Sequence, residues 1–168
     1  MLACLVKAAG LLAARSPARA VIHTLGLPSG DLKPAKALPP PSKDIFFLHS
    51  AVSHRALLPQ VALAVHHGGA GTTHATVAAG KPAVVVPCVP ASDQPFWADL
   101  VGRRGLGPVP YLPVARLTAP RLCGAMLSAL QRLDELTANC EAAAARMQRE
   151  DGVEHAAAII EAVAATAG

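Results

Sequence analysis

The stretch AVHHGGAGTTHATVAAGKPAVVVP, residues 64–87, decides the fold. It opens inside an apolar run, VALAVHH (61–67), and closes on another, PAVVVP (82–87). Runs of that kind read as parallel strands covered on both faces. Between them GTTHATVAA reads as a helix, and Gly80 stands where a helix-ending glycine belongs. The segment is therefore strand, glycine turn, helix and strand.

Working outward, residues 3–15 read as a helix ended by Ser16-Pro17. RAVIHTLG (19–26) reads as a short buried strand closed by Gly26. Leu27 to Lys43 is expected to be a surface loop, since LPSGDLKPAKALPPPS carries five prolines and no apolar period. DIFFLHS (44–50) reads as a strand, and SHRALLPQ (53–60) as a short helix with Ser53 at its N-cap. QPFWADLVGRRG (94–105) reads as a helix, and GPVPYLP (107–113) as a short edge strand. Ala119 to Ala167 reads as two or three helices, with Thr118 capping the first and a break at Asp151-Gly152. Alternating strands and helices predict an α/β fold, a Rossmann-like parallel sheet flanked by helices. The organisation is one domain: helix, strand and proline-rich loop (1–43), a core (44–115) and a helical tail (116–168).

In such a sheet ligands bind outside the carboxyl ends of the strands. His67 to Thr73, Pro87 to Gln94 and His49 to His54 all fall at that rim. Gly68, Gly69 and Gly71 allow positive φ and close approach to the backbone. The helix that follows begins with amide N–H groups lacking intrahelical partners, at the positive end of its dipole. Together these features make a site for phosphate or pyrophosphate. Thr72 and Thr73 offer hydroxyls, and His67 offers a ring donor. The plainer alternative is a tight turn capped by the histidines. The order of residues matches neither G-x-G-x-x-G nor a P-loop. Asp93 and Gln94, after the last apolar strand, combine a carboxylate with an amide and suit vicinal sugar hydroxyls. Asp93 also reads as an N-cap for the helix near Pro95.

The chain has 168 residues, 52% of them hydrophobic and only 3% aromatic, with a net charge of +4. That composition suits one globular domain and excludes overall disorder. Scattered basic residues without interleaved aromatics give no nucleic-acid signature. Cys4, Cys88, Cys123 and Cys140 form no C-x-x-C pair, so neither a zinc site nor a redox motif is expected, and reduced cytosolic thiols are. The first stretch lacks a basic region ahead of its apolar part, and Lys7 interrupts it, unlike a signal peptide. No run reaches the length of a membrane span.

HHGGAGTTHATVAAGKPAVVVPCVPASDQPFWADLVGRRGLGPVP (66–110) resembles the nucleotide-sugar-binding C-terminal half of GT-B glycosyltransferases. The likeness is to sterol 3-β-glucosyltransferases and to macrolide and glycopeptide antibiotic glycosyltransferases. It implies a UDP-sugar donor, usually UDP-glucose, and inverting transfer of a hexose to a sterol or other lipid or small-molecule hydroxyl. No metal or other cofactor is implied; the UDP-sugar is a substrate. By the same resemblance His67 faces the donor diphosphate, Gly69, Ala70, Gly71 and Thr72 hold its phosphates, and Asp93 and Gln94 contact the sugar. Val52, in HSAVSH, matches the uracil-cradling segment, although relatives carry V-P-H or W-x-P-Q where this chain has Val52-Ser53-His54.

The family's acceptor site and catalytic base belong to an N-terminal half that 168 residues cannot also hold. The opening strand of the C-terminal half has no match before Leu2. The expectation is a partial transferase: a fragment, a truncated gene product or a split subunit, completed by an acceptor-binding domain in cis or in trans. His23, His49, His74 and His155 are expected to bond locally and not to act as the base. A donor-binding subunit of a split UDP-N-acetylglucosamine transferase with a membrane partner, and a non-catalytic interaction module, are the alternatives. The expected location is cytoplasmic, including the periphery of a membrane.

Overall fold

The computed structural model describes residues 1–24 and 42–166. Most of the proline-rich loop, and the Gly26 end of the first strand, lie outside those residues. Helix α1 (Leu2–Ala13) leads to strand β1 (Ala20–His23), which pairs in parallel with β2 (Ile45–Leu48). A short helix α2 (His54–Leu57) continues into a 3₁₀ turn, Leu58–Gln60. Strand β3 (Ala64–His66), helix α3 (Ala70–Ala78) and strand β4 (Ala83–Val85) follow, with β3 and β4 parallel and Val65 opposite Val84. Helix α4 (Gln94–Arg103) and a 3₁₀ turn (Val114–Arg116) precede the tail helices α5 (Ala119–Gln131), α6 (Leu133–Met147) and α7 (Gly152–Thr166).

Alpha-helical and parallel-strand elements alternate as the apolar pattern requires. The strands are shorter than the apolar runs that announce them, and they form two parallel pairs, β1–β2 and β3–β4, where one sheet was expected. A shared helical layer unites them. Val6 and Ala9 of α1 pack with Ile22 and Ile45, while Ala8 and Leu12 of the same helix join Leu122, Cys123 and Met126 of α5 and Val84 and Val86. A second cluster, on the other side of β4, contains Ala83, Val85, Ala98, Val101, Leu106 and Cys140. Successive β4 side chains thus enter opposite layers, which is why the whole run 82–87 is buried.

Residues 107–113 are not a strand. Pro108, Pro110 and Pro113 supply no N–H, so a ladder cannot continue there. The segment is anchored at its ends instead, by Ala83 N–H donating to the Leu106 carbonyl (3.0 Å) and Val114 N–H donating to the Pro87 carbonyl (2.9 Å). Of the N-caps expected at Ser53, Asp93 and Thr118, only Thr118 makes a side-chain capping bond, and Asp151, at the expected break, makes one ahead of α7. Thr118 Oγ1 accepts from Arg121 N–H, and Asp151 Oδ1 accepts from Glu154 N–H (3.0 Å). Ser53 holds the N-cap position of α2, but its side chain makes no capping bond. Gly80 ends α3 with φ +66° and donates its N–H to Val77 O. All four cysteines are free thiols. No helix among the described residues is long and apolar enough to cross a membrane.

The tail helices differ in burial. Leu122 and Leu136 are fully buried, whereas α7 buries no residue and leaves Val153, Ile159, Ile160 and Val163 exposed. Leu122→Ala is expected to cost about 2–5 kcal/mol by transfer and cavity terms. Ile159→Ala should change stability by less than about 0.5 kcal/mol. Urea unfolding of both variants checks the contrast, and equal losses would show that α7 is packed in solution.

Candidate functional site

The turn between β3 and α3 is built from the first histidine of the pair. Gly68 donates its N–H to His66 Nδ1 at 3.1 Å, a bond that folds the chain back at the strand end. Gly68 adopts φ +90°, and a Cβ there would meet Val85 Cγ1 at 2.8 Å and the Gln94 carbonyl at 3.0 Å. Both conditions require glycine. They also place the β4–α4 rim against the turn, so the two segments singled out in the sequence are neighbours.

His66 is the residue of this turn whose structural part sequence reasoning missed. Burial, with smaller contributions from the charges of His67 and His54, lowers its pKa to about 4. It is therefore neutral near pH 7. Because Nδ1 accepts from Gly68, the ring proton sits on Nε2, a buried atom with no hydrogen-bond partner among the described residues. The signal available was the i, i+2 spacing of a histidine and a glycine at a strand end.

His67, in contrast, is exposed, and its ring lies over Gly69. A Cβ on Gly69 would come within 2.6 Å of His67 Nε2. Gly69 is the N-cap of α3, with extended φ/ψ and no side chain to satisfy the helix. The first capped amide is Thr73 N–H, which bonds Gly69 O at 3.0 Å. The N–H groups of Ala70, Gly71 and Thr72 have no hydrogen-bond acceptor among the described residues. These open donors, the helix dipole and the His67 ring converge on one corner. A Cβ on Gly71 would meet nothing, so that corner is open at its surface.

The threonines divide. Thr72 is half-buried, and its hydroxyl makes no bond among the described residues. Thr73 is buried, and its Oγ1 donates to Gly69 O (3.0 Å) within its own helix. The Thr73 hydroxyl proton is thus committed to the i−4 carbonyl of its own helix, unlike that of Thr72.

On the adjoining rim, Asp93 occupies the N-cap position of α4 but makes no capping bond. Its Oδ2 accepts instead from the Trp97 indole N–H at 2.9 Å, which turns the exposed carboxylate along the helix. The other carboxylate oxygen has no partner among the described residues. Gln94 is half committed. Its Oε1 accepts from Cys88 N–H (2.8 Å) and Val89 N–H (3.1 Å), holding the loop after β4. Only its amide NH₂ remains available to a ligand.

Val52 is half-buried just before α2, and its N–H and C=O make no bond among the described residues. Helix α2 packs against α3, so this segment borders the turn from the β2 side. The remaining strand-end histidines bond locally as expected. His23 Nε2 is 3.1 Å from Ser50 O, and His49 Nδ1 is 2.8 Å from Thr24 Oγ1. His74 meets the Trp97 ring edge-on at 4.9 Å. Among the described residues no cluster of His, Cys, Asp or Glu is arranged to hold a metal ion.

The His66 environment carries a pH dependence. The folded-state pKa of about 4 lies below the ordinary 6.5, so between those values the unfolded chain binds more protons. The contribution to stability is therefore full above pH 6.5 and lost as pH falls toward 4. Its total is on the order of 3 kcal/mol for a shift of this size. His66→Asn keeps an acceptor for Gly68 N–H and cannot titrate. Urea unfolding between pH 7.5 and 4.5 should give a flatter stability profile for this variant than for the parent chain; parallel profiles would refute the burial argument.

Comparison with known proteins gives the family and the fold. Residues 21–162 match the family described as erythromycin biosynthesis protein CIII-like, C-terminal domain. A sterol 3-beta-glucosyltransferase of Arabidopsis thaliana is 40% identical over 111 residues, covering 66% of this chain and 17% of the relative. The O-mycaminosyltylonolide 6-deoxyallosyltransferase of Streptomyces fradiae is 35% identical over 149 residues, covering 89% of this chain and 32% of the relative. This chain therefore spans a third or less of these relatives. Among solved structures, the spinosyn forosaminyltransferase SpnP superposes with a TM-score of 0.74 at 21% identity, over 98% of this chain and 38% of that one. The glycosyltransferase VinC, solved in complex with dTDP, gives 0.64 at 27% identity, over 89% of this chain and 34% of that one. The chain belongs to the erythromycin biosynthesis protein CIII-like C-terminal domain family and has the fold of the C-terminal half of GT-B glycosyltransferases.

Proposed function

We propose that this domain binds the donor of a glycosyl transfer, a UDP-hexose, and holds its diphosphate as the leaving group. The observation that carries the reading is the open α3 terminus: the N–H groups of Ala70, Gly71 and Thr72 have no acceptor among the described residues, and the His67 ring lies beside them over Gly69. A diphosphate supplies those acceptors. Transfer with inversion breaks the bond between the sugar's anomeric carbon and the terminal phosphate oxygen, and negative charge grows on that oxygen. Fixed N–H dipoles and the ring donor of His67 stabilise the growing charge more than the ground state, which lowers the barrier. No metal is needed for this role.

The sugar is assigned to Asp93 and Gln94 with a division of labour. The unpaired oxygen of Asp93 accepts from a sugar hydroxyl, and the Gln94 NH₂ donates to one. Trp97 holds Asp93 in place. Val52 borders the base. The identity to sterol glucosyltransferases supports glucose as the sugar and a sterol or other lipid hydroxyl as the acceptor. The acceptor and the base that deprotonates it are assigned to a separate domain, in cis or in trans.

Titration calorimetry with UDP, dTDP and UDP-glucose tests the reading. The folded chain should bind UDP and UDP-glucose without added metal. His67→Ala should weaken both by roughly 10- to 100-fold, the range for a lost charge-assisted bond. Asp93→Ala should weaken UDP-glucose and leave UDP unchanged. A folded sample that binds no nucleotide would sink the proposal, and tighter binding of dTDP would reassign the base.

A further inference from the structure

Asp93 stands at the N-cap of α4 with helical backbone angles, φ −71° and ψ −12°, and its carboxylate caps nothing. The reason is in the sequence. Pro95, in the first turn of α4, has no N–H, so one of the two amides that an N-cap carboxylate addresses is missing. Trp97 stands four residues after Asp93, on the same helix face. It holds Asp93 twice. Its backbone N–H donates to Asp93 O at 3.1 Å, and its indole N–H donates to Asp93 Oδ2 at 2.9 Å. The indole is the only partner of that carboxylate among the described residues.

The indole itself is braced. The His74 ring, on α3, meets it edge-on with centroids 4.9 Å apart, and the Phe96 ring does so at 5.2 Å. Edge-on pairs of this kind favour one ring orientation. Trp97 is the chain's single tryptophan and is half-buried, while Asp93 is exposed. Without the indole an exposed carboxylate turns readily, because its last torsion has a broad well. With it, one oxygen is engaged and the other is held in one place. Beside it, Gln94 Oε1 accepts from Cys88 N–H (2.8 Å) and Val89 N–H (3.1 Å), so the Gln94 NH₂ is also held in one orientation. The rim thus presents one fixed acceptor and one fixed donor.

We infer that Trp97 is a positioning residue that sets sugar selectivity: by holding Oδ2 it fixes where the other Asp93 oxygen accepts from a sugar hydroxyl. The inference rests on the reading of Asp93 and Gln94 as sugar contacts. A fixed acceptor beside a fixed donor suits one configuration of neighbouring hydroxyls. An epimer with one hydroxyl inverted leaves a polar group unpaired. A carboxylate that turns readily follows either epimer, at the cost of its own ordering on binding. Selectivity is therefore lodged in a side chain that acts through Asp93 and not by contact with the sugar.

Titration calorimetry with UDP, UDP-glucose and UDP-galactose, whose sugars are epimers, tests this on Trp97→Phe. The variant keeps a ring against His74 and Phe96 and lacks the indole N–H. UDP affinity should stay as in the parent chain. UDP-glucose should weaken roughly 3- to 10-fold, the range for one side chain newly ordered on binding, and the preference for UDP-glucose over UDP-galactose should shrink. In an Asp93→Ala background the same substitution should change nothing, which separates positioning from a general packing role. In the parent chain the lone indole N–H gives one NMR resonance, which UDP-glucose should shift and UDP should not. That measurement decides should Trp97→Phe unfold. A chain that binds UDP but keeps its sugar preference in Trp97→Phe overturns the inference alone. So do a parent chain without preference, an equal loss for UDP, and a resonance that UDP-glucose leaves unmoved. A folded chain that binds no UDP removes the donor reading and this inference together.

Discussion

A single bond, from Gly68 N–H to His66 Nδ1, organises the corner on which the rest of the site depends. It turns the chain at the end of β3, where Gly68 takes positive φ against Val85 and Gln94. The bond requires a neutral imidazole with its acceptor on Nδ1. Burial secures that state by holding the pKa near 4. The adjacent histidine has the opposite environment. His67 is exposed and makes no part of that turn bond, so neighbouring residues of one type are separated by burial.

The second rim repeats this economy with different chemistry. Gln94 gives its carbonyl to the loop and keeps its NH₂, while Asp93 gives one oxygen to Trp97 and keeps the other. Each polar side chain is thus partly fixed by the protein's own bonds. Fixed groups lose less conformational entropy on binding. The helical layer beneath supports both rims, since α1 and α5 share core residues with β4 and α1 also covers β1 and β2.

Much of the fold was legible because period and punctuation are local properties. Apolar runs located every strand, Gly80 ended α3, Thr118 capped α5 and Asp151 opened α7. The edge strand at 107–113 misread a proline-spaced apolar pattern, in which Leu106 and Val114 make the bonds that hold the segment. The sequence placed His67, Gly69, Ala70, Gly71, Thr72, Asp93, Gln94 and Val52 at one rim, yet their contacts could not be read from it. Thr73 looked as suitable as Thr72 until its hydroxyl was found on the Gly69 carbonyl.

The sequence by itself determined the order of strands and helices, the glycine turn and the absence of a side chain at the α3 cap. Each follows from short-range sterics and from which residues lack a Cβ or an N–H. Only the tertiary structure decided which histidine is buried, which lone pairs of Asp93 and Gln94 stay free, and which strands find partners. Those outcomes depend on groups brought together from distant positions, where burial and backbone pairing are set by neighbours that the local pattern does not contain.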